Sequence, residues 1–172
     1  MAINNSLKDY QATILARLDE AKKAGSAETA GSLGVTIAGK YVLVNMREIS
    51  ETLPLMTLFP VPLVKPWFLG VANVRGVLYA VNDLSQLITS IPTAISTSAR
   101  VLLINTDIAS HVAFLVEKLI GLRKLALMKR VDAPEPPDFC MKSEAYEDEA
   151  GNVWYVLDCN QLVQAKEFIQ VY

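Results

Sequence analysis

Apolar residues recur along this chain with two different periods, and the change falls near residue 33. Before it, Leu7, Tyr10, Ile14, Leu18 and Ala21 stand three or four residues apart and predict one apolar stripe on a helix. Ser6 with Asp9 forms a variant capping box. Lys22 and Lys23 suit the negative end of the helix dipole, and Gly25 can take the left-handed closing position. The small polar run Ser26–Ser32 reads as a linker, which gives a helix and linker over 1–33 and a main domain over 34–172. The stripe predicts burial, on that domain or on a partner.

From Gly34 the pattern turns to short β-type runs. Val35-Thr36-Ile37-Ala38 and Tyr41-Val42-Leu43-Val44, joined at Gly39-Lys40, predict a first hairpin. Gly70–Val74 and Val77–Val81, joined at Arg75-Gly76, predict a second; Val101–Asn105 and Val112–Val116 predict a third. The stretch Pro54–Pro66 holds four prolines and resists regular structure, and Pro134, Pro136 and Pro137 mark a long loop. Many short strands between turn signals predict a mainly β fold of closed or sandwiched sheets.

An internal echo refines this. Residues 76–88 line up without a gap on residues 151–163: a turn glycine, a strand carrying an aromatic, then Asp-x-x-Gln-Leu. Asp followed three residues on by Gln is a helix-start pattern, the carboxylate taking orphan N–H groups while the amide reaches back. Two similar halves follow, each a strand running into a helix capped by Asp83 or Asp158, the second helix reaching about Ile169.

Composition narrows the chemistry. The chain is 52% hydrophobic and 20% charged, with a net charge of −2, so it builds a core and carries no basic footprint for nucleic acid or an anionic membrane. No stretch reaches about 18 apolar residues free of charge, and the first residues lack the pattern of a secretory leader. The expectation is a cytoplasmic protein with no direct membrane insertion. Cys140 and Cys159 suggest no disulfide framework, and with His111 as the single histidine no metal ligand set emerges. Glu144, Glu147, Asp148 and Glu149 read as a solvated turn, Asp83 and Asp158 as caps rather than an acid/base pair, and no phosphate-cradling glycine loop is present. The expectation is no enzyme activity and no cofactor. A small β-barrel enzyme, a ligand carrier or a purely structural module remain as alternatives from other classes.

The segment Gly70–Leu84, G-V-A-N-V-R-G-V-L-Y-A-V-N-D-L, resembles the signature of CheW-like chemotaxis-coupling domains. From the residues alone Arg75 reads as a surface arginine at a tight turn that Gly76 permits; the resemblance makes an interface role the better reading. The likeness runs from about Gly34 to the C-terminal helix, with Ala80 and Glu117 standing where the family usually carries proline and aspartate. It implies two intertwined five-stranded SH3-like β-barrels between an N-terminal and a C-terminal helix. It also implies a non-enzymatic adaptor that binds the cytoplasmic tip of a chemoreceptor and the regulatory domain of a CheA-type histidine kinase. Met46, Glu48, Gly70 and Arg75 match positions associated with receptor and kinase contact, Glu48 and Arg75 being expected exposed and close together. Residues Pro66–Gly76, with the N-terminal extension, are similar to the PilI-type adaptors of type IV pilus systems, which govern twitching motility. A coupler of flagellar chemotaxis or another chemosensory pathway is the alternative within the family.

Overall fold

Residues 31–134 and 138–172 are described by the computed structural model, so the expected N-terminal helix lies outside the described residues. From Ser32 on, β-branched residues alternate with polar ones and the backbone pleats accordingly. Strands β1 (Ser32–Ile37) and β2 (Lys40–Asn45) form the first hairpin, and β3 (Ile49–Pro54) follows. Strands β4 (Phe68–Val74) and β5 (Val77–Asp83) form the second and lead into helix α1 (Leu84–Thr89). Strands β6 (Arg100–Ile104) and β7 (Val112–Val116) form the third. The chain continues through β8 (Lys118–Arg123), β9 (Lys129–Asp132), β10 (Met141–Glu147) and β11 (Val153–Leu157) into helices α2 (Cys159–Gln164) and α3 (Lys166–Ile169).

Among the described residues these strands build two mixed sheets, one ordered β8-β1-β2-β11-β10-β9 and one ordered β3-β6-β7-β5-β4. The five strands β8-β1-β2-β11-β10 repeat the pairing pattern of β3-β6-β7-β5-β4: antiparallel, antiparallel, parallel, antiparallel. Strand β9 is an addition to the first sheet, which therefore has six strands where five were expected. After each central hairpin the chain changes sheets, β2 leading to β3 and β7 to β8.

The internal echo marks equivalent strands. Strands β5 and β11 each make the one parallel pairing of their sheet, to β7 and β2. Their turn glycines share a left-handed backbone, φ +85° at Gly76 and +83° at Gly151. Even the ring contacts correspond: Tyr79 lies 5.8 Å from His111, and Trp154 lies 4.7 Å from Tyr41. Asp83 and Asp158 cap α1 and α2, accepting from the backbone N–H of Gln86 at 3.2 Å and of Gln161 at 3.0 Å. The reciprocal bond forms at neither copy, because the Asp83 N–H donates to the Trp67 carbonyl at 2.7 Å and the Asp158 N–H to the Cys140 carbonyl at 2.8 Å; the Gln161 amide donates to the Phe139 carbonyl.

Three expectations are corrected. The C-terminal helix is broken at Ala165, whose extended backbone (ψ 142°) separates α2 from α3. The first turn is Ala38-Gly39, both with positive φ as a two-residue hairpin turn of type I′ requires. Ser32, placed in the linker, is buried as the first residue of β1.

Period-two alternation assigns the core. On β6 and β7, Val101, Leu103, Ala113 and Leu115 face a core inside the second sheet, with Ala72, Val74 and Val81. Their neighbours Leu102, Ile104, Phe114 and Val116 point the other way and join Leu33, Val35, Ile37, Val42 and Val44 of the first sheet. The larger core is thus shared by the two sheets. Behind β1, on its other face, Gly34 leaves room for the buried ring of Trp154: a Cβ there would stand 2.8 Å from the ring. Gly34→Val should lower stability by about 1–3 kcal/mol through overpacking, read as a lower urea midpoint at unchanged slope.

Candidate functional site

The signature hairpin turns on two residues with positive φ, Arg75 (51°) and Gly76 (85°). A left-handed backbone costs a non-glycine residue about 1 kcal/mol, so the arginine sits there against local preference. Asn73 accepts the Gly76 N–H at 2.8 Å and closes the turn. The Arg75 guanidinium remains 70% exposed while forking onto the Glu51 carboxylate: Nη1 donates to Oε2 at 2.8 Å and Nη2 to Oε1. The arginine's hydrogen bonds hold the Glu51 carboxyl below its ordinary range, and Glu51 raises Arg75 in turn. Strand β3, which carries Glu51, lies at the opposite end of the strand order from β4, so the ion pair spans the two edges of the sheet.

The remaining sequence-derived positions divide by burial. Met46 is exposed in the crossover between β2 and β3. Gly70 is buried with φ +139°, and a Cβ would stand 2.4 Å from the Phe59 carbonyl oxygen. Phe59 and Val71 exchange backbone hydrogen bonds at 2.8 and 2.9 Å, so Gly70 acts by admitting the Pro54–Pro66 segment against β4. Trp67 is core, stacked 5.6 Å from Phe168.

Glu48 does not lie exposed beside Arg75. It is half-buried beside Cys159 and Asp158 at the start of α2, and its Oε2 is buried without a hydrogen-bond partner. Arg75 takes Glu51 instead, a carboxylate that sequence reasoning missed.

The first sheet carries a counterpart. The Asp148 carboxylate accepts from the N–H groups of Ala150 and Asn152, from the Asn152 amide and from Trp154 Nε1 at 2.9–3.1 Å. The Trp154 bond leads these in holding its pKa down at about 2. Asp148 therefore organises a turn that had read as merely solvated. The Arg123 guanidinium from β8 lies over the Trp154 ring at 4.9 Å, and a groove of about 520 Å³ runs between Leu122, Leu127 and Asp148.

These groups make no reactive constellation. Burial pushes the Cys140 thiol up to about 12 and raises Cys159 as well, so neither is a ready thiolate. Among the described residues no cluster of three or more metal-ligating side chains occurs, and no helix is long and apolar enough to cross a membrane. What the arrangement offers is charged turns and apolar surface on a rigid frame.

The two-sheet architecture and its charged turns define a binding scaffold. The sequence matches the CheW-like domain over residues 31–167, and the chain belongs to that family. Its members are non-enzymatic scaffolds that couple chemoreceptors to a CheA kinase, and this chain is such a coupling scaffold. The fold is similar to that of the scaffolding protein TtCheW from Thermoanaerobacter tengcongensis. The TM-score is 0.67 at 11% identity, with 80% of this chain and 94% of that one covered. No curated protein matches the chain.

Two carboxylates predict opposite pH behaviour. Asp148 has a depressed pKa, so its contribution is present above the ordinary 3.8 and is lost as pH falls through about 2. Asp148→Asn should therefore destabilise at pH 7, with the difference from wild type vanishing towards pH 2 in urea unfolding. Glu48 has a pKa raised above 4.5, chiefly by burial; Asp158 adds to the rise, while Cys159 and Lys142 oppose it. Its contribution is full below 4.5 and lost as pH rises through the folded value. Glu48→Gln should gain stability relative to wild type between pH 4.5 and 7, measured the same way.

Proposed function

We propose that this chain is the PilI-type adaptor of a type IV pilus chemosensory system. It acts in the cytoplasm and without a cofactor, holding a chemoreceptor tip and the regulatory domain of a CheA-type histidine kinase together to control twitching motility. One observation carries this reading: the family's signature hairpin presents an exposed guanidinium on a turn whose backbone disfavours arginine. The residues from Pro66 to Gly76 support the pilus assignment. The ion pair across the edges of the second sheet supports a barrel-like closure of that half. Met46 and Arg75 belong to the contact surface, whereas Gly70 and Glu48 shape it from beneath.

Arg75→Ala tests the reading. Its exposed ion pair contributes little to folding, so the unfolding midpoint should hardly move. Affinity for a receptor tip or for the kinase regulatory domain should fall about tenfold or more, as at an interface anchor. Unchanged affinity for both in calorimetric titrations would place the contact surface elsewhere. Deleting the gene in the source organism should abolish twitching; loss of swimming alone would make the chain a flagellar coupler instead.

A further inference from the structure

Strand β9 is the addition that the second sheet lacks, and it ends the strand order of the first sheet with β10 as its neighbour. The Ala133 N–H donates to the Ser143 carbonyl at 3.1 Å, in step with the ladder that sets Val131 opposite Ala145. Antiparallel pairs alternate between those that exchange hydrogen bonds and those that do not. Val131 therefore turns its N–H and C=O towards β10, while Arg130 and Asp132 turn theirs outward. Outward-facing groups on an end strand are a template for another strand. The side chains of the same two residues add a charge pattern. Asp132 is exposed and stands directly opposite Glu144, a pairing of like charges that costs stability. Arg130 gives its guanidinium to Glu144 at 2.6 Å, and no ion pair of Asp132 occurs among the described residues.

We propose that β9 is a self-association edge, on which β9 of a second copy of this chain pairs antiparallel about a two-fold axis at Val131. Residues directly opposite each other across such a pair lie on the same face, and outward groups must meet outward groups. Centring the axis on Val131 satisfies both conditions. Arg130 then faces Asp132 of the second copy, and the reverse, each such pair exchanging its backbone hydrogen bonds and closing an ion pair. Each Asp132 thereby meets a cation. Moving the centre to Arg130 sets arginine against arginine, and moving it to Asp132 sets aspartate against aspartate, so charge selects the register. The strand is short and the contact small, so the pair forms weakly and reversibly. The pairing does not depend on the adaptor reading; where that reading holds, it joins two adaptors edge to edge.

Charge exchange tests this on the full chain, by sedimentation velocity over a concentration series at low salt. Wild type should associate reversibly, and added salt should weaken the association because the ion pairs are exposed. Asp132→Arg sets arginine against arginine across the axis; within the chain it places a cation opposite Glu144, so the fold is kept. Arg130→Asp sets aspartate against aspartate. Each variant alone should raise the dissociation constant about tenfold or more. Mixed in equal amounts, the two should recover association between unlike chains, since the arginines of one then face the aspartates of the other. Should Arg130→Asp not fold, Asp132→Arg against wild type decides alone. A wild type that stays monomeric throughout the series would overturn the proposal. So would association that either variant keeps at full strength, which places the contact elsewhere on the chain, or a mixture that stays as weak as its components.

Discussion

Burial of β6 and β7 on both faces is the constraint on which the rest of this structure depends. Each strand feeds one set of side chains to the core inside its own sheet and the alternate set to the core shared with the other sheet. Phe114, Leu102 and Ile104 are essentially inaccessible, and full burial of such side chains stabilises by about 1.5–3 kcal/mol each. Strands β1 and β2 answer from the opposite side with Leu33, Val35, Ile37, Val42 and Val44. A strand with no polar face has no register in which it can be exposed, so neither half can separate without uncovering this surface.

Strand exchange follows from the same geometry. A hairpin buried on both faces has no room to continue in its own sheet, and the chain leaves at both equivalent points, from β2 to β3 and from β7 to β8. The crossovers are short, and polar contacts hold them. Glu117, between β7 and β8, accepts the Gly39 N–H in the first hairpin turn at 3.1 Å, while Asn105 holds the Arg47–Glu48 crossover. The charged turns at Arg75 and Asp148 then sit on two halves that share one core.

The three hairpins were legible because β-branched runs flank turn residues, and the two-fold organisation was legible in thirteen aligned positions. What escaped had polar surface on one side. Strands β9 and β10, KRVD and MKSEAYE, alternate weakly because they lie at or beside a sheet edge where one face stays wet. The break at Ala165 has no helix breaker to announce it, since neither proline nor glycine stands there. The site was half legible. The Arg75 turn followed from local residues, but its Glu51 partner comes from a strand 24 residues away at the opposite edge. The resemblance alone placed Glu48 on an exposed contact surface; the start of α2, 111 residues further on at Cys159, lies beside it and leaves it half-buried.

The contrast between the two carboxylates bears on what each is for. Asp148 is surrounded by donors, its ionised form is favoured, and it does the work of a backbone organiser beneath Trp154. Glu48 is desolvated, has Asp158 beside it, and finds only part of its hydrogen-bonding capacity met. A glutamine would fill the same space at lower desolvation cost, so stability does not explain a glutamate there. Glu48 stands where the chain passes from β2 to β3, between sheets that share a core, so the packing that buries that core also sets its surroundings.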